Sequence, residues 1–252
     1  MKIRARKQRS PFCQPFRVRV SLRLRLSFVV SLVALTSFAI PERVFAGVEG
    51  SGQTIRVRVN NYAQATPATI ASAEREAGRI LGEAGLRMVW LDCSMEHFGG
   101  VHVQQNPCLD PLEATDIVLR VLSEQTQNRF QDTVFGFAVV PILASVYYDY
   151  ASRTAKRDNA EFEAPIILGC VIAHEIGHLL LGSNSHSSSG VMQARWERKQ
   201  VKQAMTGVML FTHEQSKRIQ AEAQTRMRLQ AVRLKEQRMG KVEIELLRTE
   251  LP

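Results

Sequence analysis

Within this 252-residue chain, thirteen consecutive positions concentrate groups that can do chemistry: His174-Glu175-Ile176-Gly177-His178-Leu179-Leu180-Leu181-Gly182-Ser183-Asn184-Ser185-His186. If the first part of this run is helical, residues four apart stack one turn above each other, and His174 and His178 project from one face. Two imidazoles placed in this way can ligate one Zn²⁺ at about 2.0–2.1 Å each. Glu175 sits beside the first imidazole, where its carboxylate can reach a water on that ion and act as a general base. The opposite positions Ile172, Ile176, Leu179 and Leu180 are apolar and can be buried, so the two histidines are not simply part of a solvated face.

The third ligand is a choice between residues. Gly182 can turn the chain and bring back His186, which leaves three neutral imidazoles around a dication with one coordination position open. Glu197 lies nineteen residues after His178, a spacing similar to that of the glutamate ligand in the thermolysin-like clan, but Arg195-Trp196 before it gives little sign of the second helix used there. Asn184 is a poor Zn²⁺ ligand beside histidine. Cys170 is one turn before His174 and could approach the ion, although a buried thiol is its commoner role. Met192, closing the turn Ser189-Gly190-Val191-Met192, reads as packing beneath a metal and not as a ligand. His97, His102 and His213 read as loop or helix-start residues without a partner pattern.

An elongated H-E-x-x-H…G…H followed closely by a Met-containing turn resembles the metzincin clan of zinc endopeptidases, specifically over Val171–Met192. In that clan the glycine stands three and the third histidine six residues after the second histidine. Here those positions hold Leu181 and Asn184, with Gly182 and His186 arriving one and two residues later. The tyrosine that some metzincins carry two residues after the methionine is replaced by Ala194. The resemblance implies a Zn²⁺ cofactor held by His174, His178 and His186, with Glu175 as catalytic base and a peptide or protein as substrate. It also implies that Gly136–Val140 is an edge strand on which substrate docks.

The surrounding elements must position these groups. Thr54–Asn60 alternates polar and apolar residues as a half-buried strand does. Pro67–Gly85 has Pro at its start, Gly at its end and Ile70, Ala73, Ala77, Ile80, Leu81 and Ala84 at helical spacing. Leu86–Leu91, Ile117–Leu122, Gly136–Val140 and Ser145–Tyr150 read as further strands, and Ala164–Leu181 as an apolar helix. Thr212-x-x-Gln215 has the pattern of a capping box opening a final helix. Strands grouped between helices predict an α+β fold, a mixed twisted sheet packed on the active-site helix with a helix at the C-terminal end. Beyond Thr212 the sequence predicts one packed helix with Ile219, Ala223, Met227, Val232 and Leu234 at loose helical intervals, then a solvated charged extension.

Charge and targeting bound the class. The chain carries a formal +9, but residues 1–46 hold ten Lys/Arg and only one acid, Glu42; subtracting these from the 33 basic and 24 acidic residues leaves 23 of each in 47–252. A neutral body gives no support for nucleic-acid binding. The basic start, the uncharged run Leu26–Ile40 and the small-residue site Val44-Phe45-Ala46 have the order of a signal peptide. Fifteen residues span about 22 Å, short of a roughly 30 Å hydrocarbon core, so no stable membrane span is expected after cleavage. The expected organisation is therefore 1–46 signal, 47–211 catalytic domain and 212–252 C-terminal helix and tail, in a secreted or periplasmic monomer. An uncleaved N-terminal anchor is the competing reading of the leader. Export also permits disulfides. Of Cys93, Cys108 and Cys170, the first two flank a Gly- and Pro-containing loop and are the favoured pair, a closure that stabilises by about 3 kcal/mol in the chain-entropy model. The alternatives to an enzyme are an exported zinc-binding, non-catalytic interaction protein, disfavoured by the retained Glu175, and an envelope-anchored protein acting through its N-terminal segment and charged tail.

Overall fold

The computed structural model describes residues 53–94, 106–123, 135–157 and 163–249, with side chains described up to 239. The leader, and with it the signal-peptide reading, lies outside these residues. Five strands and five helices follow in the order β1 (Gln53–Asn61), α1 (Pro67–Glu83), β2 (Leu86–Asp92), β3 (Asp116–Leu122), β4 (Gly136–Val139), β5 (Leu143–Tyr147), α2 (Tyr148–Arg157), α3 (Ala164–Leu181), α4 (Arg198–Met205) and α5 (His213–Thr249).

The strands form one sheet in the order β2-β1-β3-β5-β4, with β4 antiparallel to β5 and every other pairing parallel. This is the expected mixed sheet packed on helices. Alternation sorts its two faces. Ile55, Val57 and Val59 of β1, Ile117, Leu119 and Val121 of β3, and Ala144 and Val146 of β5 are fully or almost fully buried in the core shared with α1 and α3. Thr66 caps α1, its hydroxyl accepting from the backbone N–H of Thr69 at 3.2 Å. Helix α3 is buried all round; by length and composition it could cross a membrane, yet 83% of it is inside the fold, which makes it the central helix of this core.

Charge, not apolar contact, organises the opposite face. Asp116 is 1% exposed and accepts from Arg56 Nε at 2.6 Å, from Arg56 Nη2 at 2.9 Å and from Arg58 Nη2 at 2.8 Å. Arg58 also donates to the carbonyls of Cys108, Asp110 and Pro111. It thereby ties the chain beyond the Cys93–Cys108 disulfide, the pair the sequence favoured, to the sheet. Burial works against the Asp116 charge, but the Arg56 hydrogen bond, the Glu113 N–H and both guanidinium charges hold it below the usual carboxylate range. Replacing Asp116 by Asn leaves the buried Arg58 without its counter-charge and Arg56 with only the more exposed Glu113, and we expect a loss of roughly 3 kcal/mol in urea denaturation at pH 7. Because the folded-state value is depressed, the wild-type contribution is present above the unfolded carboxylate value and is lost as pH falls through the folded one. An unchanged midpoint and slope for Asp116→Asn would remove this network as a stabilising element.

Three expectations about elements need correction. The strand ending at Tyr150 stops at Tyr147, and Tyr148–Arg157 is helix α2. Its strand-like opening SVYYDY is overridden by Ala151, Thr154 and Ala155, whose helical spacing buries them in the core. A helix does follow Trp196: α4 is opened by Gln200, whose side chain reaches back to the N–H of Glu197 at 3.1 Å. Finally, the C-terminal extension remains helical to Thr249. The expected box is present, with Gln215 N–H donating to Thr212 Oγ1 and Thr212 N–H to Gln215 Oε1. Ile219 and Ala223 are buried, but Met227, Val232 and Leu234 are 41%, 54% and 42% exposed.

Candidate metal centre

The site is built on the second half of α3. His174 and His178 are nearly buried on one face of this helix, and Gly182, with φ +94°, ends it and turns the chain toward His186, which is exposed. His178 Nε2 lies 3.1 Å from His174 Nε2 and 3.1 Å from His186 Nε2, and ligand atoms of the three residues all fall within 4.8 Å of one another. Two nitrogens bound tetrahedrally at 2.0–2.1 Å are about 3.3 Å apart, so the spacing matches a shared zinc ion. Among the described residues this is the group able to hold a metal. The three-histidine cluster fits Zn²⁺.

Each buried ring is held from behind. The His174 Nδ1–H donates to the carbonyl of Val191 at 2.7 Å, and since a carbonyl only accepts, Nε2 is left with its lone pair facing the cluster. His178 Nδ1 is 3.0 Å from the hydroxyl of Ser185. Val191 is fixed in turn, its N–H donating to Leu210 O at 2.9 Å, and Met192 beside it is fully buried. Gly177 explains why. A Cβ there would lie 2.5 Å from Met192 Sδ and 2.8 Å from Phe211, so the glycine inside the motif lets the Met turn press against α3 beneath the histidines. Met192 is thus packing, as expected.

The remaining candidates are placed elsewhere. Cys170 is fully buried and points at Glu76 of α1, with Sγ 3.8 Å from Oε1; burial above all, then the Glu76 charge, pushes its thiol far up. Glu197 precedes α4 on the wall of the cleft and is not part of the cluster, and Asn184 is exposed. His213 begins α5, whereas His97 and His102 lie outside the described residues.

Glu175 is 4% exposed and lines the same cleft as the histidines. Opposite it, Gly136 of β4 comes so close that a Cβ would be 2.9 Å from Glu175 Oε1 and would collide with the backbone oxygen of Ser145. The edge strand therefore begins with the one residue that leaves room for this carboxyl group. The cleft holds about 1000 Å³. One wall is Phe135–Ala138 and Tyr150; the other is Gln193–Arg198. Phe135 bridges the walls, its ring 4.3 Å from that of Tyr150 and 5.2 Å from that of Trp196, and Trp196 stands edge-on to His174 at 6.3 Å. Sequence reading missed Tyr150, Trp196 and Phe135 as cleft residues; they come from three separate segments with no common spacing. Ser185 was missed as well, although its place inside the lengthened spacer was a signal.

Burial also sets the protonation of the metal-free site. It pushes Glu175 up to about 8 and His174 down to about 4, the latter against the Val191 hydrogen bond and with help from the neighbouring imidazoles; His178 is lowered by burial and by His186. The signs oppose each other. Glu175 gains its proton on folding, so its contribution is present at acid pH and is lost as pH rises through about 8. The two histidines stay neutral when folded, so stability falls as pH drops below about 6.5, where the unfolded chain protonates them. In chelated protein the loss of the Glu175 contribution should therefore cost roughly 1–2 kcal/mol between pH 6.5 and pH 8. Glu175→Gln should lose most of that decline, with a remainder from Glu74, which burial pushes up to about 7; the same decline in that variant would assign it to another group.

No known family model and no curated protein matches the sequence. Among the solved structures that resemble it are two distant ones. One is an archaemetzincin from Methanopyrus kandleri, 16% identical with TM-score 0.44 over 70% of this chain and 99% of that one. The other is a zinc-dependent peptidase from Methanocorpusculum labreanum, 15% identical with TM-score 0.43 over 65% and 99%. The function of this chain has to be read from its own residues.

Proposed function

We propose that this chain is an exported, metzincin-like, zinc-dependent endopeptidase. The observation that carries the reading is the convergence of three imidazole Nε2 atoms with a buried carboxyl group beside them, all on the floor of one cleft bounded by a sheet edge. His174, His178 and His186 would hold the ion, and Met192 would support the helix from below without touching it. Zinc so held supplies a Lewis acid for a carbonyl oxygen and lowers the pKa of a water to about 7.

The protein's own groups supply the rest. Glu175 accepts the proton of the attacking water and returns it to the departing amine, so the carboxylate ends each turnover as it began. Burial alone would leave Glu175 protonated at neutral pH. A dication nearby works in the other direction, favouring the charged form that a base requires. Strand β4 ends the sheet and lines the cleft with Gly136, Phe137 and Ala138, so an extended peptide could add to it through main-chain hydrogen bonds that demand no particular side chain. The aromatic wall of Phe135, Tyr150 and Trp196 offers apolar surface to a residue near the scissile bond. Retention of the carboxyl favours this over a zinc-binding, non-catalytic protein, because a purely structural ion does not use it.

Elemental analysis of the purified mature chain, beside a peptide-library digest with and without chelator, tests the reading. About one zinc per chain and chelator-sensitive internal cleavage are expected. Zinc without cleavage would leave only the binding module, and absence of both would end the metal reading. Export is tested separately, by fractionating cells and sequencing the N-terminus of the released chain; a mature chain still beginning in the basic segment would contradict it.

A further inference from the structure

We infer that Ser185, carried by the turn between the second and third histidines, is a positioning residue for His178. The inference rests on the metal reading of the site and not on the peptidase reaction. Ser185 directly precedes His186 in the turn after Gly182, yet its side chain points inward: the residue is 8% exposed, between exposed Asn184 and exposed His186. Its Oγ sits 3.0 Å from His178 Nδ1, on the far side of the ring from the nitrogen that faces the other two imidazoles. One short turn thus brings both a ligand and the support of another ligand.

The chemistry asks for such a group. A histidine that binds a metal through Nε2 must carry its proton on Nδ1, and an acceptor behind Nδ1 fixes both that tautomer and the ring angle. His174 has the Val191 carbonyl for this purpose. Behind His178 the Ser185 hydroxyl lies within hydrogen-bond distance of Nδ1 and accepts from Nδ1–H when Nε2 is engaged, and the Gly182 backbone also hydrogen-bonds this ring. In Ser185→Ala the His178 ring keeps its position on the helix but loses the side-chain constraint on its plane and its proton.

The test compares wild type, Ser185→Ala and Ser185→Thr as purified full chains, each loaded with zinc and titrated against a chromophoric chelator. Loss of an outer partner of a metal-bound histidine typically weakens affinity about 10–100-fold, and that loss is expected for Ser185→Ala. Ser185→Thr, which keeps the hydroxyl, should recover most of it. Nitrogen-15 spectra of the zinc-loaded wild type should show His178 as the Nδ1–H tautomer, with a mixture or a broadened signal in Ser185→Ala. Thermal midpoints of the chelated proteins separate positioning from bulk stability: a drop in affinity that follows an equal destabilisation of the metal-free fold, and that Thr does not rescue, overturns the inference. Equal zinc affinity in wild type and Ser185→Ala overturns it too. Failure of the wild type itself to hold zinc would instead sink the metal reading on which the inference rests.

Discussion

Glu175→Ala should keep its zinc and lose its peptidase activity. The carboxyl is absent from the three-imidazole cluster, so its removal leaves all three nitrogens in place, and metal content by elemental analysis should equal that of wild type. What disappears is the acceptor of the water's proton and its donor to the leaving amine, a role that typically contributes about 10²–10⁴-fold. Glu175→Gln makes the test sharper. It preserves size in a pocket where Gly136 has no Cβ to spare, and it removes the buried ionisable group without opening a void. Both variants should therefore be folded, zinc-replete and slower by the same order in kcat, with KM little changed. Cleavage at the wild-type rate by either would take the base role away from this residue.

His186→Ala is the second large effect, and it arbitrates between the two candidate third ligands. Two ligands from one helix remain in that variant, and the exposed third is gone. Zinc affinity should drop by more than the about 10–100-fold that loss of an outer partner costs, and activity should fall with metal occupancy. Glu197→Ala should retain zinc as wild type does, because that residue stands on the cleft wall at the start of α4. If instead Glu197→Ala empties the site and His186→Ala does not, the third ligand has been misassigned.

The core of the site was legible because its logic is local. A four-residue spacing on an apolar helix brings His174 and His178 together whatever the rest of the fold does, and Gly182 announces the turn that brings His186 back. The disulfide was legible from the loop between its cysteines, and Gly136–Val140 as a strand from the Pro141 that follows it, while its place at the sheet edge came from the metzincin resemblance; the strand itself ends at Val139. The cleft was not. Tyr150 lies on a helix that aromatic residues disguise as strand, Trp196 precedes a short basic helix with two buried residues, and Phe135 joins them only in three dimensions. Helix α4 could have been found from the Glu197-x-x-Gln200 pattern, which a search for apolar periodicity passes over. The length of α5 was hidden for the opposite reason: residues 231–239 are all exposed, so no buried stripe marks them, and intrinsic propensity is left to carry the helix there.

Helix α5 does more than extend the fold. Arg226, 5% exposed, donates from Nη2 to the carbonyls of Leu179 and Pro141, each at 2.9 Å, and Arg218 donates to Leu181 O at 2.8 Å. Two cations thus occupy the negative end of α3, satisfying carbonyls that a helix terminus leaves open, and one of them also pins the bend between β4 and β5. Those bonds join residues 85, 47 and 37 positions apart. During synthesis the arginines emerge after every ligand they steady. A nascent chain can bring its histidines near one another early, but the bolt that fixes α3 against the β4–β5 bend arrives only with α5, so the histidine cluster and the cleft should reach their final geometry together and late.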